Sequence, residues 1–192
     1  HYQQLVPSLP KYFHRLMDGM DIQIGASTWR CIAGYGHAPE HIALFCEKTG
    51  VLISGDMVLP RISTNVSVFE MEPTANSLAL FLGSLGRYRP LPSDTLVLPS
   101  HGKPFRGLHT RLEQLQSHHA DRLAEVLEAC NGEMCSSADI VPVMFKRELD
   151  NHQFPFALGE SLAHLNYLWF TGQLHRKLCE DGVYRFGTHS TN

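Results

Sequence analysis

The sequence predicts an α/β fold followed by a small α+β unit. Over roughly the first hundred residues, short apolar stretches of strand length are separated by turns that contain glycine. From residue 108 onward, apolar residues recur at intervals of three and four, and one hairpin signal follows. We therefore predict two domains, at residues 1–132 and 133–192.

Five short apolar runs predict the strands of the first domain, at residues 20–24, 28–33, 42–47, 51–54 and 95–98. Lys48-Thr49-Gly50 predicts a hairpin turn between the third and fourth strands. Residues 11–17, which follow Pro7 and Pro10, are predicted to form a short helix. Residues 76–87 predict an amphipathic helix, because Leu78, Phe81, Leu82 and Leu85 share one face at helical spacing.

Three helices and a hairpin are predicted in the rest of the chain. The first covers residues 108–130, the second begins after an N-cap near Ser136, and the third covers residues 156–171. The third helix should place Leu158, Leu162, Leu165 and Trp169 on its inner face, with His164 near that face. Glu180-Asp181-Gly182 predicts the hairpin turn, and this order of elements is typical of a winged helix.

Composition narrows the classes of partner. The 192 residues carry a net charge of −3, which favours neither nucleic acid nor an anionic membrane surface as a partner. No apolar run approaches the ~18–20 residues needed to span a bilayer, so no membrane partner is expected. Five cysteines, without a Cys-x-x-Cys pair, indicate a reduced, cytoplasmic setting.

Three segments place a metal-binding type of side chain directly after a predicted strand and beside a glycine. They are Gly36-His37-Ala38-Pro39-Glu40-His41, Ser54-Gly55-Asp56 and Ser100-His101-Gly102. Imidazole nitrogens and carboxylate oxygens are the usual ligands of zinc, and they also suit iron or manganese. Loops that follow neighbouring strands can bring such side chains to one edge of a sheet. We therefore predict that His37, Asp56 and His101 converge.

In this order, the three segments resemble the second half of a metallo-β-lactamase-fold hydrolase. The resemblance implies part of an αββα sandwich, with a small winged-helix-like domain at the C-terminal end. It implies two divalent metal ions, most simply zinc, that are bound by His37, Asp56 and His101. It also gives Asp56 the catalytic role of bridging the two ions.

The earlier His-x-His-x-Asp-His motif of this family, which supplies most of the first metal's ligands, is absent from these 192 residues. The chain also begins at His1 rather than at a methionine. We therefore expect a fragment of a longer enzyme, with an incomplete set of metal ligands and little activity by itself. The missing N-terminal half would then be its principal partner, and a second copy of the chain is another candidate.

Four further residues are predicted to lie beside the metals or the substrate. By resemblance, His41 occupies a position that orients a ligand. Tyr35 and Glu40 depart from the family pattern and either shape the choice of substrate or point to solvent. Asn65 lies on the loop after Asp56 and either contacts substrate or forms an Asx-turn.

The resemblance implies that a metal-bound hydroxide attacks a small ester, thioester or amide substrate. Similarity to hydroxyacylglutathione hydrolases makes thioesters plausible, although no basic cluster for glutathione is visible. A metal-dependent nuclease is the alternative enzyme, and a winged-helix module that binds nucleic acid or a protein is the alternative from another class. The absence of Lys and Arg from residues 156–171 disfavours recognition of nucleic acid by that helix.

Overall fold

A computed structural model describes residues 5–189 and confirms the α/β class. Five strands form one sheet in the order β1-β2-β3-β4-β5. Their bounds are β1 Asp21–Ile24, β2 Ser27–Gly34, β3 His41–Cys46, β4 Val51–Gly55 and β5 Leu96–Pro99. All five predicted strands are present, with ends shifted by a residue or so.

The direction of each strand decides which loops meet. β1, β2, β3 and β4 pair antiparallel in turn, whereas β4 and β5 are parallel. The carboxyl ends of β2, β4 and β5 therefore point to the same edge of the sheet. The hairpin between β3 and β4 turns at Gly50, whose φ of 63° suits a glycine.

The two faces of the sheet have different surroundings. One face contributes Ile32, Ala43, Phe45, Leu52 and Val97 to a core that also contains residues from the helices. The strand register places mostly apolar side chains on the opposite face as well, including Trp29, Cys31, Ile42, Leu44, Val51, Ile53, Leu96 and Leu98. On this second face Ile24 is 49% exposed and Ile53 is 38% exposed. Within residues 5–189, no side chain of the second face belongs to a core cluster.

Four helices complete the structure, at α1 Ser77–Leu85, α2 Leu108–Ala129, α3 Ser137–Met144 and α4 Gln153–Phe170. Asn76 caps α1 through its side chain. Ser136 and Asp139 form a capping box at the start of α3, as the predicted N-cap required. A two-stranded sheet of β6 His175–Leu178 and β7 Tyr184–Gly187 follows α4. The predicted order of three helices and a hairpin is therefore present, while the winged-helix assignment and the domain boundary stay predictions.

The helix predicted over residues 11–17 is wrong. These residues have no helical turn in the structure, and Tyr12 and Phe13 are 90% and 84% exposed. A short helix in water gains most of its stability from packing an apolar face on a neighbour. Because these side chains are so exposed, that stabilisation is missing here.

Helix α4 is buried on more sides than the predicted inner face. It contacts α1, α2 and α3, and it begins at Gln153, with Pro155 in its first turn, where proline is tolerated. Leu165 is buried as predicted, but Leu158, Leu162 and Trp169 are only partly buried. Small and polar residues fill much of the contact surface, among them Gly159, Glu160, Ser161, Ala163, His164 and Asn166.

Two core clusters lie along the chain. The first joins the sheet to α1 and the beginning of α2, and the second joins the end of α2 to α3, α4 and the hairpin. Leu123 and Leu162 pack against both clusters. Of the helices within residues 5–189, none is long and apolar enough to cross a membrane.

Candidate metal centre

His37, Asp56 and His101 lie at one edge of the sheet, each in the loop that follows a strand. His37 follows β2, Asp56 follows β4 and His101 follows β5. These three strands run in the same direction, so their carboxyl ends and the loops beyond them are adjacent. The structure therefore brings together three side chains that span 65 positions of the sequence, from residue 37 to residue 101.

The carboxylate of Asp56 lies between the two imidazole rings. His37 Nε2 is 3.5 Å from Asp56 Oδ2, and His101 Nε2 is 3.4 Å from Asp56 Oδ1. Each histidine thus approaches a different carboxylate oxygen. Asp56 Oδ1 is buried and has no hydrogen-bond partner among residues 5–189.

This arrangement suits cations that the carboxylate would share. Ligands of a tetrahedral zinc ion lie about 3.4 Å from one another, given metal–ligand distances of about 2.0–2.2 Å. Both histidine–aspartate distances agree with that separation. In the described part of the chain, however, no group of three or more His, Cys, Asp or Glu side chains could hold one ion. Within the described residues, this chain therefore offers a single ion fewer than three such ligands.

His41 lies beside the same carboxylate, at the beginning of β3. Gly55 has a φ of 54°, and a Cβ atom there would overlap His41 Nε2. Burial lowers the pKa of His41, and the neighbouring His37 lowers it further, while Asp56 opposes both. His41 Nδ1 is buried without a hydrogen-bond partner among the residues that the structure describes. Burial therefore disfavours the charged form of His41, whose ring lies against Gly55.

Two protein-family models match this chain. Residues 9–101 match the model described as the metallo-beta-lactamase superfamily. Residues 123–189 match the model described as the metallo-beta-lactamase-like C-terminal domain. The chain belongs to the metallo-beta-lactamase superfamily.

Relatives and solved structures support the same assignment. The chain is similar to a beta-lactamase domain protein from Burkholderia ambifaria, with 60% identity and a TM-score of 0.95 over 98% of this chain and 56% of that one. It is also similar to a metallo-beta-lactamase family protein from Thermus thermophilus, with 29% identity and a TM-score of 0.80 over 94% and 56% of the two chains.

Two curated relatives are more distant. The probable metallo-hydrolase YqjP of Bacillus subtilis is 26% identical over 80% of this chain and 48% of its own length. The beta-lactamase-like protein 2 homolog of Caenorhabditis elegans is 27% identical over 89% of this chain and 51% of its own length. The chain spans about half the length of the curated relatives it matches.

Tyr35 and Glu40, which flank His37 in this superfamily member, make contacts within the chain. The backbone N–H of Tyr35 donates to Ser84 Oγ at 2.9 Å, and its ring faces the guanidinium of Arg87 at 5.9 Å. Glu40 is exposed and pairs with Arg15 at 2.9 Å. Their predicted influence on substrate choice stays a prediction.

Asn65 connects His37 to the C-terminal part of the chain. His37 Nδ1 is 2.8 Å from the carbonyl oxygen of Asn65. The amide nitrogen of the Asn65 side chain donates to Glu160 Oε2 at 2.9 Å, and Ser67 Oγ donates to Asn65 Oδ1 at 2.8 Å. Both polar atoms of the Asn65 side chain are therefore bound within the protein, and its predicted contact with substrate stays a prediction.

Glu160 was not among the predicted site residues. It lies on α4, is only 8% exposed, and receives a hydrogen bond from Asn65. Burial raises its pKa to about 7, although the Asn65 hydrogen bond opposes this shift. The sequence offers one signal for it, a single acidic residue within an otherwise uncharged helix.

A cavity of about 600 Å³ opens beside His101. Apolar side chains of Pro60, Ile62, Pro104 and Phe105 line it, and Arg61 and Lys103 add two exposed cationic groups. The side chain of Arg111 fixes one wall, because Nε donates to the Leu59 carbonyl at 2.6 Å and Nη2 to the Ile62 carbonyl at 2.9 Å. The cavity can thus accept a small organic molecule next to His101.

Proposed function

We propose that a protein containing this chain is a metal-dependent hydrolase of a small ester, thioester or amide. The observation that carries the proposal is the position of Asp56 between two histidines, each 3.4–3.5 Å from a different carboxylate oxygen. Such a shared carboxylate can hold two cations close together. The names of the relatives, a probable metallo-hydrolase and beta-lactamase-like proteins, agree with this class of reaction.

Each residue of the centre has a separate role in this proposal. His37 and His101 would each present Nε2 to one ion, and Asp56 would hold both ions through its two oxygens. Two divalent cations, zinc or alternatively iron or manganese, supply a bound water of lowered pKa and polarise the oxygen of the substrate. His41 would keep its neutral ring against Gly55 and restrict the access of water from that side.

The remaining metal ligands would come from a segment that carries the missing His-x-His-x-Asp-His motif. Catalytic zinc sites use three protein ligands and an open position for each ion, whereas this chain offers two to each. The second face of the sheet also supports a further layer, since most of its apolar side chains remain partly exposed. We therefore expect the 192-residue chain alone to bind metal weakly and to turn over little substrate.

The cavity beside His101 supports a small substrate. Its apolar walls suit the hydrocarbon part of an acyl compound, and Arg61 and Lys103 would favour a substrate that carries negative charge. A glutathione thioester has both properties, so thioesters remain among the proposed substrates.

Binding of nucleic acid is less well supported. The cationic side chains of the C-terminal hairpin are engaged with neighbours. Arg176 stacks on Trp169 at 3.7 Å and on Tyr184 at 4.3 Å. Arg185 forms two hydrogen bonds with Asp181, at 3.0 and 2.7 Å. Both guanidinium groups are therefore engaged within the chain, which argues against phosphate contacts by this hairpin.

The proposal is tested in a full-length protein that contains this chain and the motif. Metal content is measured first, and ester, thioester, lactam and phosphodiester substrates are then compared. Asp56→Asn should abolish the hydrolysis of ester or thioester, while Asp94→Asn, at an exposed carboxylate, should not. Cleavage of the phosphodiester alone, or stoichiometric tight binding of two ions by the 192-residue chain, would contradict the proposal.

A further inference from the structure

The imidazole ring of His37 is oriented by one backbone carbonyl. The distance from His37 Nδ1 to the Asn65 oxygen is 2.8 Å. A carbonyl oxygen can only accept a hydrogen bond, so Nδ1 carries the proton in the neutral ring. The lone pair of the ring is then on Nε2, the nitrogen that faces Asp56. A histidine that binds metal needs this tautomer, and the group that accepts from its other nitrogen selects it.

The position of the Asn65 carbonyl depends in turn on α4. The Asn65 side chain donates to Glu160 Oε2 at 2.9 Å, and the Val68 N–H donates to the Gly159 carbonyl at 3.0 Å. A Cβ atom added at Gly159 would lie 2.8 Å from Ser67 Oγ and 3.1 Å from the Val68 oxygen. Residues 65–68 therefore lie directly on the helix, with a hydrogen bond at each end of the contact.

Glu160 is a costly residue to place in this contact. A carboxyl group that is 8% exposed loses most of its hydration, and an apolar side chain could fill the same space without that loss. The hydrogen bond that Glu160 accepts comes from the residue whose carbonyl orients His37. Both the carboxylate and the carboxylic acid can accept this bond, so the contact persists in either protonation state.

We propose that Glu160 is a positioning residue, which holds Asn65 on α4 and thereby fixes the orientation and tautomer of His37. The role of Glu160 in metal binding rests on the proposed function, whereas its effect on the tautomer of His37 does not. The C-terminal helix would then take part in preparing the metal centre, in addition to packing against it.

The test measures the ring nitrogens of His37 directly. Long-range proton–nitrogen NMR spectra of the uniformly ¹⁵N-labelled, metal-free chain distinguish the two neutral tautomers, and His37→Gln identifies the signals. We expect the Nδ1–H tautomer in the parent chain. Glu160→Ala should shift these signals towards a mixture of tautomers, and Glu160→Gln, which retains an oxygen acceptor, should restore them.

Two further variants separate positioning from a general disturbance of α4. Ser161→Ala alters a buried neighbour on the same helix and should leave the His37 signals unchanged. Asn65→Ala keeps the carbonyl but removes the side chain that Glu160 holds, so it should reproduce the shift and serves if Glu160→Ala does not fold. The proposal is overturned if the folded variant, Glu160→Ala or Asn65→Ala, keeps the Nδ1–H tautomer of His37 unchanged. It is also overturned if Ser161→Ala shifts the His37 signals as much as that variant does.

A second measurement connects the tautomer to the metal. In the full-length protein, competition with a chelator should show zinc binding about 10–100-fold weaker in Glu160→Ala, with recovery in Glu160→Gln. If Glu160→Ala shifts the His37 tautomer but neither the parent protein nor any variant hydrolyses a substrate, the proposed function is refuted and the positioning role of Glu160 is still supported. Zinc affinity within about twofold of the parent in Glu160→Ala would overturn the role in metal binding.

Discussion

The pair of buried histidines between α2 and α4 should make folding sensitive to acid. His119 and His164 are both 0% exposed, and His119 Nδ1 is 3.3 Å from His164 Nε2. His164 Nδ1 lies 2.8 Å from the Glu160 carbonyl and must donate to it, so His164 Nε2 accepts from His119. Burial lowers the pKa of His119 to about 3 and that of His164 to about 4.

The direction of the change in stability with pH follows from proton binding. Unfolded histidines titrate near pH 6.5, so below that pH the unfolded chain binds protons that the folded chain excludes. Between pH 7 and pH 5, each of the two shifts therefore removes about 2 kcal/mol from the free energy of unfolding. Glu160 acts in the opposite direction, because its raised pKa of about 7 lets the folded chain bind a proton first. Binding of that proton adds about 2 kcal/mol to the free energy of unfolding between pH 7 and pH 5.

The expected net loss from pH 7 to pH 5 is about 2 kcal/mol for these three groups, by the same linkage. His119→Leu removes one of the two histidines and should make the loss about 2 kcal/mol smaller than in the parent chain. Urea unfolding at both pH values, followed by tryptophan fluorescence, measures the difference within each variant. Because each variant is compared with itself at the two pH values, a change in stability that is the same at both pH values cancels.

The exposed His152 provides a matched control, since His152→Gln removes a histidine that is not buried. This variant should lose stability between pH 7 and pH 5 as the parent does. If His119→Leu shows the same loss as the parent, the buried pair does not exclude protons, and the reasoning from its burial is refuted.

Three other outcomes are expected. Glu160→Gln removes the opposing group, so the loss of stability in urea between pH 7 and pH 5 should increase by about 2 kcal/mol, and an unchanged loss would count against a raised pKa. Asp56→Asn in the full-length protein should lower kcat by about 100-fold or more, and a variant that keeps a tenth of the activity would exclude a bridging role. Gly50→Ala, at a φ of 63°, should cost about 1–2 kcal/mol of stability in urea, and Gly55→Ala, at a φ of 54° and with an overlap at His41, should cost at least as much. Only Gly55→Ala should also weaken zinc binding, because only its new Cβ meets His41; equal zinc affinity in both variants would contradict that contact.

Local patterns predicted most of the secondary structure because the signals act within a few residues. The turn at Gly50 needs a positive φ, and the capping box of Ser136 and Asp139 joins residues three positions apart. The helix predicted over residues 11–17 failed for the converse reason. Its stability depended on a packing partner that the sequence pattern alone could not supply.

The sequence also predicted the meeting of His37, Asp56 and His101, because each follows a strand and the order of the motifs resembles one family. The distances of 3.4–3.5 Å and the assignment of one carboxylate oxygen to each histidine came only from the structure. They depend on β2, β4 and β5 ending at the same edge, and this relation is set by strand pairing between distant segments.

By itself, the sequence determined the fold class, the positions of the strands and the residue types of the candidate metal centre, since these depend on local periodicity and on the chemistry of single side chains. Only the tertiary structure identified Glu160 as the partner of Asn65, and His119 as the partner of His164. These contacts join residues 95 and 45 positions apart, and no local pattern specifies them. They form because α4 packs against the other helices and against residues 65–68. Buried polar groups need hydrogen-bond partners, and the packing of distant segments decides which groups are close enough to bond.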